Sequence, residues 1–235
     1  MKRVIMVLML IVTFSMAAQY TKLPGWYYEI KDVKLQKQQF FSILRPLVEE
    51  ENAKIEKERA FVKRFFETYN KSPLIADNKM ILRLGQIAKK YRIKNFYDEK
   101  EYLIKIDTIP VSLVLAQAAL ESGWGKSRFA RIANNLFGEW TWGKRGIVPK
   151  HRAPGKRHKI KIFKSLSDSI ASYMLNLNRH RAYREFRLAR YLAKKAGRRF
   201  SGLEAAMTMQ RYSQIGHRYT RLVSSIIKKN ALHFD

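Results

Sequence analysis

The stretch from Thr108 to Trp142, TIPVSLVLAQAALESGWGKSRFARIANNLFGEWTW, narrows the possible folds more than any other part of the chain. Pro110 suits the first turn of a helix, where its missing N–H is no loss. Val111, Val114, Leu115 and Ala118 then recur at helical spacing, and Ala116 and Ala119 permit close packing. An apolar run of about ten residues is too short to span a bilayer, which needs about 20. The pattern therefore predicts a buried core helix. At its end stands a carboxylate, Glu121, followed by Ser122, Gly123, Trp124 and Gly125.

A carboxylate in the last turn of a helix feels the negative end of the dipole, and an apolar neighbour such as Trp124 strips away its water. Both effects disfavour the charged form and raise the pKa. An acid still protonated near neutral pH is what general-acid cleavage of a glycosidic bond requires. The two glycines let the chain turn sharply past the acid and leave it facing a cleft. Taken alone, the same glutamate would serve equally as a helix-end cap or ion-pair partner.

The 235 residues carry 47 Lys plus Arg against 19 acids and no cysteine. Disulfides and thiolate metal sites are excluded, and the charge excess calls for an acidic partner: nucleic acid, anionic lipid or a carboxylate-bearing cell wall. Residues 1–18 read as a secretory signal peptide, with Lys2 and Arg3, an apolar core from Val4 to Phe14, and a small-residue region at Ser15–Ala18. An uncleaved anchor is the rival reading. Either way the bulk of the chain is expected outside the cytoplasm, in the periplasm or cell envelope, which weakens the nucleic-acid reading.

Residues 19–107 read as a helical N-terminal extension. Tyr20–Ile30 is aromatic and irregular. From Asp32 to Asn70 a long helix carries Phe40, Phe41, Leu44, Leu47 and Val48 on one face, with Pro46 bending it or starting a new helix. Pro73 breaks the pattern, Met80–Tyr91 is another amphipathic helix, and Asn95–Ile106 reads as a connection.

AQAALESGWGKS, with NNLFG thirteen residues beyond Glu121, resembles the glucosaminidase family of peptidoglycan hydrolases, which includes the flagellar muramidase-like enzymes. From about Gln36 onward, including RPLVEEENAKI and SYMLNLNRHRAY, the chain is similar to the Bax-like proteins of Gram-negative bacteria within that family. The resemblance implies a mainly α, lysozyme-like catalytic domain over residues 108–235, with a small β-hairpin beside its cleft. It also implies Asn135 and Phe137 along the glycan groove and Tyr212 in the active site. The residues themselves leave Asn135 free to act as a loop-holding amide instead. Trp124, Trp140 and Trp142 suit a carbohydrate surface, although tryptophans also fill cores.

The hairpin is expected near His158–Phe163, where Ile160 and Ile162 alternate onto one face. The family often carries a second carboxylate there, but Trp140–Ser167 contains no Asp or Glu. Glu139 is the nearest candidate, set against an ordinary reading as an exposed loop acid. Asp168 is better explained as a helix-start acid after Ser165. The substrate's own 2-acetamido oxygen could take the second role.

Further on, Ile170, Tyr173, Met174 and Leu177 form a buried stripe, and Arg181, Arg184, Arg187, Arg190 and Lys194 one basic face. Ser201 and Glu204 form a capping box, and the last helix turns Tyr219, Leu222, Val223, Ile226 and Ile227 inward. The five histidines are scattered, so no metal or cofactor is expected. The expected activity is cleavage of the β-1,4 bond after N-acetylglucosamine in peptidoglycan. The alternatives are a wall-binding protein with impaired catalysis and a lytic transglycosylase using Glu121 alone.

Overall fold

The computed structural model describes residues 21–72, 77–149, 152, 155–212 and 216–232. The expected signal peptide and Pro73 lie outside the described residues. The architecture is mainly α with one small hairpin, as expected. The aromatic N-terminal stretch is less irregular than its composition suggests, since Gly25–Glu29 forms a short helix, α1.

Asp32 caps the next helix by accepting a bond from Leu35 N–H at 2.8 Å, and α2 then runs unbroken from Val33 to Lys71. Its 39 residues make a rod about 58 Å long. Pro46 neither ends nor restarts it. One missing N–H is outweighed by an apolar face that is buried on both sides of the proline, from Phe40 to Val48 and from Ile55 to Phe66.

Helix α3 spans Asn78–Tyr91. The segment expected as a plain connection contains a helix of its own, α4 (Glu99–Lys105), capped by the Asp98 carboxylate. The core helix, α5, covers Val111–Ser122 with Pro110 as its N-cap, and α6 (Arg128–Ala133) follows. Strands β1 (Trp140–Thr141) and β2 (Lys159–Ile160) pair antiparallel, Trp140 against Ile160. Ile160 is buried there but Ile162 is exposed, because the alternation is lost beyond the short ladder.

Helices α7 (Leu166–Arg179) and α8 (Arg184–Lys195) flank a 3-10 turn at Arg181–Tyr183. The α7 stripe is buried as expected, and Ser165 Oγ accepts from Asp168 N–H. Helix α9 (Gly202–Met207) has its full capping box, and a 3-10 turn (Met209–Tyr212) precedes α10 (His217–Lys229). Tyr219, Val223 and Ile227 face inward from α10. Leu222 is exposed and Ile226 only partly buried, so the apolar face is narrower than its sequence implies.

One hydrophobic cluster runs from α2 through α5 and α7 to α10, so the extension and the core helix share a single interior. The α8 arginines depart most from expectation. Arg187 and Arg190 point inward and are buried. Arg190 donates to the carbonyls of Asp107 and Thr108 at 3.0 Å each and to Asn178 Oδ1 at 2.9 Å, and also reaches the carbonyls of Ile104 and Lys105. From α2, Arg59 bonds the carbonyls of Leu103 and Ile106 and lies 3.4 Å from the buried Asp107 carboxylate. Asn52 closes the entry to α5 with reciprocal bonds to Ile109, 2.8 Å each. Charge on this helix face was legible in the sequence; the carbonyls that require it were not.

Replacing Arg190 with Met strands several buried carbonyls and is expected to cost about 3 kcal/mol or more. Arg198→Ala, which removes an exposed pair with Glu204, should cost under about 1 kcal/mol. Urea unfolding of the two variants checks the contrast.

Candidate active site

Glu121 sits in the last turn of α5, whose residues from Ser112 to Ala119 are buried. The helix stops at Gly123, in the left-handed region at φ 56°, and the next two residues stay there, Trp124 at 58° and Gly125 at 73°. A Cβ at Gly125 would lie 2.2 Å from Leu23 Cδ1 and 3.3 Å from Phe40 Cε2, so any other residue would displace Leu23 as well as strain the backbone. In a tryptophan the left-handed conformation costs about 1–2 kcal/mol. Packing offsets it. The Trp124 ring meets Phe40 and Phe41 edge-on at centroid distances of 5.8 and 5.2 Å, and the Lys37 ammonium lies 4.9 Å from its centre. The Tyr27 hydroxyl donates to the Trp124 carbonyl at 2.7 Å. Trp124 therefore buttresses the turn behind the acid, half-buried against the extension.

Beneath the acid runs a directed chain of hydrogen bonds. The Tyr173 hydroxyl donates to Gln117 Oε1, and Gln117 Nε2 donates to the Tyr219 oxygen at 2.8 Å. Because that oxygen accepts from the amide, the Tyr219 proton is free to turn toward Glu121, with which the hydroxyl interacts. Gln117 is fully buried, so nothing but these two tyrosines can satisfy its amide. Burial pushes the Glu121 pKa up, opposed in part by the Tyr219 bond.

Tyr212 joins this group. Its ring stacks on Tyr219 at 5.1 Å, lies 6.2 Å from Tyr173 and 6.0 Å from Tyr183, and feels the charge of Glu121. Its hydroxyl reaches the Phe137 carbonyl at 3.4 Å. The four tyrosines form a wall of rings, in which Tyr173 and Tyr183 feel the charge of both Glu121 and Glu139.

Glu139 is not an exposed loop acid. It stands at the foot of the hairpin, where its carbonyl accepts from Lys161 N–H at 2.9 Å. Oε2 accepts from Ser172 Oγ at 2.8 Å and lies 3.5 Å from the Lys161 ammonium, while Oε1 is buried without a partner in the chain. Burial raises its pKa, opposed by Ser172 and then Lys161. The hairpin thus has a carboxylate at its base, although none stands on its strands.

Two residues expected on the groove are turned to other work. Asn135 is buried, and its amide is used up inside the loop. Nδ2 donates to the carbonyls of Glu139 and Lys161, and Oδ1 accepts from Glu139 N–H. The amide is engaged within its own loop, where it fixes Glu139. The Phe137 ring is also buried, stacked on Tyr173 at 3.9 Å. Trp140 and Trp142 are the exposed aromatics, 54% and 73% accessible, with Trp140 stacked on His158 at 4.2 Å. The structure adds Gln117, Tyr173, Tyr183 and Tyr219 to the site. A glutamine interrupting an apolar helix was the available signal for the first; the tyrosines look like ordinary core residues in sequence. Among the described residues, no three His, Asp or Glu side chains gather to hold a metal ion.

The architecture so assembled has relatives. A family model described as mannosyl-glycoprotein endo-beta-N-acetylglucosaminidase matches residues 97–232. Protein bax of Escherichia coli (strain K12) is 32% identical over 199 residues, covering 83% of this chain and 69% of the relative. No solved structure matches. A family match over more than half the chain, together with this relative and a half-buried acid ending the core helix, means that the chain belongs to the glucosaminidase family and, within it, to the Bax-like proteins.

Proposed function

We propose that the protein is an exported peptidoglycan hydrolase that cleaves the β-1,4 bond after N-acetylglucosamine, with Glu121 as general acid. The observation that carries this reading is the environment of Glu121: a carboxyl held at the end of a buried helix, with its pKa raised by burial and its orientation set by Tyr219. A protonated carboxyl in such a position gives its proton to the leaving oxygen as the bond breaks. The family supplies the coarser statement, a glycoside hydrolase acting on a peptidoglycan-type glycan.

Glu139 takes the second role. Its Oε1 is buried without a partner in the chain, and Ser172 with Lys161 anchors the other oxygen. Tyr212 and the neighbouring rings form a wall against which positive charge at the anomeric carbon is steadied. Trp140 and Trp142 offer exposed faces for the apolar side of a sugar ring. The large cationic excess draws in a wall polymer whose stem peptides carry carboxylates. The N-terminal leader pattern supports work in the periplasm or cell envelope.

Digestion of purified peptidoglycan by the protein from about residue 19 tests the reading. Glu121→Gln should lower turnover by about 10²–10⁴-fold with the fold unchanged. Mass analysis of the fragments should show new reducing ends on N-acetylglucosamine. Anhydro-muramic ends would instead make the protein a lytic transglycosylase, and binding without cleavage by the wild type would make it a wall-binding protein.

Glu139→Gln is expected to lose about 10²-fold or more as well. Unchanged turnover in that variant would transfer the second role to the substrate's acetamido group.

The pH profile has a definite sign. Glu121 works protonated, so activity falls as pH rises through its raised pKa. The Tyr219 hydroxyl stabilises the charged form of Glu121. Tyr219→Phe removes that bond, raises the pKa further and should move the alkaline limb to higher pH. A limb that stays in place or moves down would separate Tyr219 from Glu121.

A further inference from the structure

On the flank of the tyrosine wall lies a cavity of about 580 Å³, between the C-terminal end of α3, α4, the end of α7 and the start of α8. Arg92, Lys94, Arg179, Arg181, Arg184 and Arg187 line it. Among the described residues, none of these six has a carboxylate within ion-pairing distance. The single acid in the lining, Glu101, is already engaged. It pairs with Lys105 at 2.7 Å and accepts from the backbone N–H groups of Lys94 and Asn95.

The guanidiniums are held in place but not satisfied. Arg187 donates to the carbonyls of Leu177 and His180 at 2.9 and 2.8 Å, and Arg179 to that of Lys90 at 3.3 Å. The Nε atoms of both are buried without a partner. The field they create is felt nearby. Burial lowers the His180 pKa, and Arg92, Arg181, Arg187 and Arg179 push it down further. Gathering so many like charges opposes folding unless an anion completes the site.

The cavity adjoins the catalytic centre. His180, in its lining, lies 5.9 Å ring to ring from Tyr183, which in turn meets Tyr212. The charge of Arg179 also reaches Glu139. An anion seated here would hang from the same strand whose sugars lie against the wall. We propose that this cavity is a carboxylate-binding subsite, taking the peptide branches of a peptide-substituted glycan while the adjacent glycosidic bond is cut. Guanidinium forks match carboxylates in a bidentate manner, which makes arginine the suitable residue for this ligand. The inference rests on the glycosidase reading and extends it to substrate selection.

The test uses the Arg181→Ala/Arg184→Ala double variant, because both side chains are exposed and neither supports the core. Cleavage is followed on intact peptidoglycan and on glycan strands stripped of their peptides. At low salt the half-saturating concentration of the intact polymer should rise about 10-fold with turnover unchanged, while stripped strands are cut as by the wild type. An equal loss on both substrates, or no change on either, overturns the proposal. Should the wild type cut neither, the glycosidase reading alone has failed and direct binding decides. Calorimetry of the wild type with a free tetrapeptide stem should show binding that is lost when its carboxylates are amidated and weakened in the double variant. Equal binding of the free and amidated peptides overturns the subsite, and so does binding of pyrophosphate with none of the peptide, which would assign it to a phosphate ligand.

Discussion

The fold depends on how the chain between α4 and α5 is paid for. The last turn of α4 and the connection after it, residues 103–109, deliver the core helix, and their carbonyls have no helix or strand partner there. Two guanidiniums from opposite sides, Arg59 on α2 and Arg190 on α8, together with Asn52 and Asn178, take up those carbonyls. The arrangement is exacting, since a buried carbonyl left without a donor costs about 1–3 kcal/mol. It also determines position. Once Thr108 and Ile109 are pinned, the register of α5 is set, and with it the place of Glu121 some three turns later.

The far end of α5 is governed by a second constraint. Three successive left-handed residues reverse the chain directly behind the acid, and the tryptophan among them is tolerated because the extension packs against it. The acid is thereby held from two directions, by strained backbone above and by the Tyr173–Gln117–Tyr219 chain below. The polarity of that chain follows from the orientation of the Gln117 amide, its oxygen toward Tyr173 and its nitrogen toward Tyr219. A buried amide has one acceptor end and one donor end, and a tyrosine whose oxygen is already accepting must direct its proton elsewhere.

Much of this was legible beforehand, for reasons particular to each element. The core helix and the α7 stripe announced themselves through local periodicity, which needs no knowledge of partners. The Ser201–Glu204 capping box is equally local. What could not be read depends on atoms distant in sequence. Arg187 and Arg190 look like a solvated face until the carbonyls of α7 and of the α4–α5 connection are in place. Glu139 looks exposed because glutamates usually are, and is largely covered only when Asn135 ties its loop and Ser172 arrives from α7. Asn135 and Phe137 carried a family expectation of sugar contact; in the structure one holds the loop and the other fills the core beneath it. Tyr219 shows that being core and being near the chemistry are compatible.

The bond from Tyr27 to the carbonyl of Trp124 joins residues 97 positions apart. With Leu23 against Gly125 and Phe40 and Phe41 against Trp124, it makes the turn behind the acid a property of loop closure across nearly half the chain. A peptide containing only residues 108–142 would carry the whole signature motif and none of the surroundings that make Glu121 acidic in the required sense. During synthesis, too, the motif emerges well before α7 and α10 exist to cover it. The raised pKa of the carboxyl is therefore acquired late, as a consequence of topology.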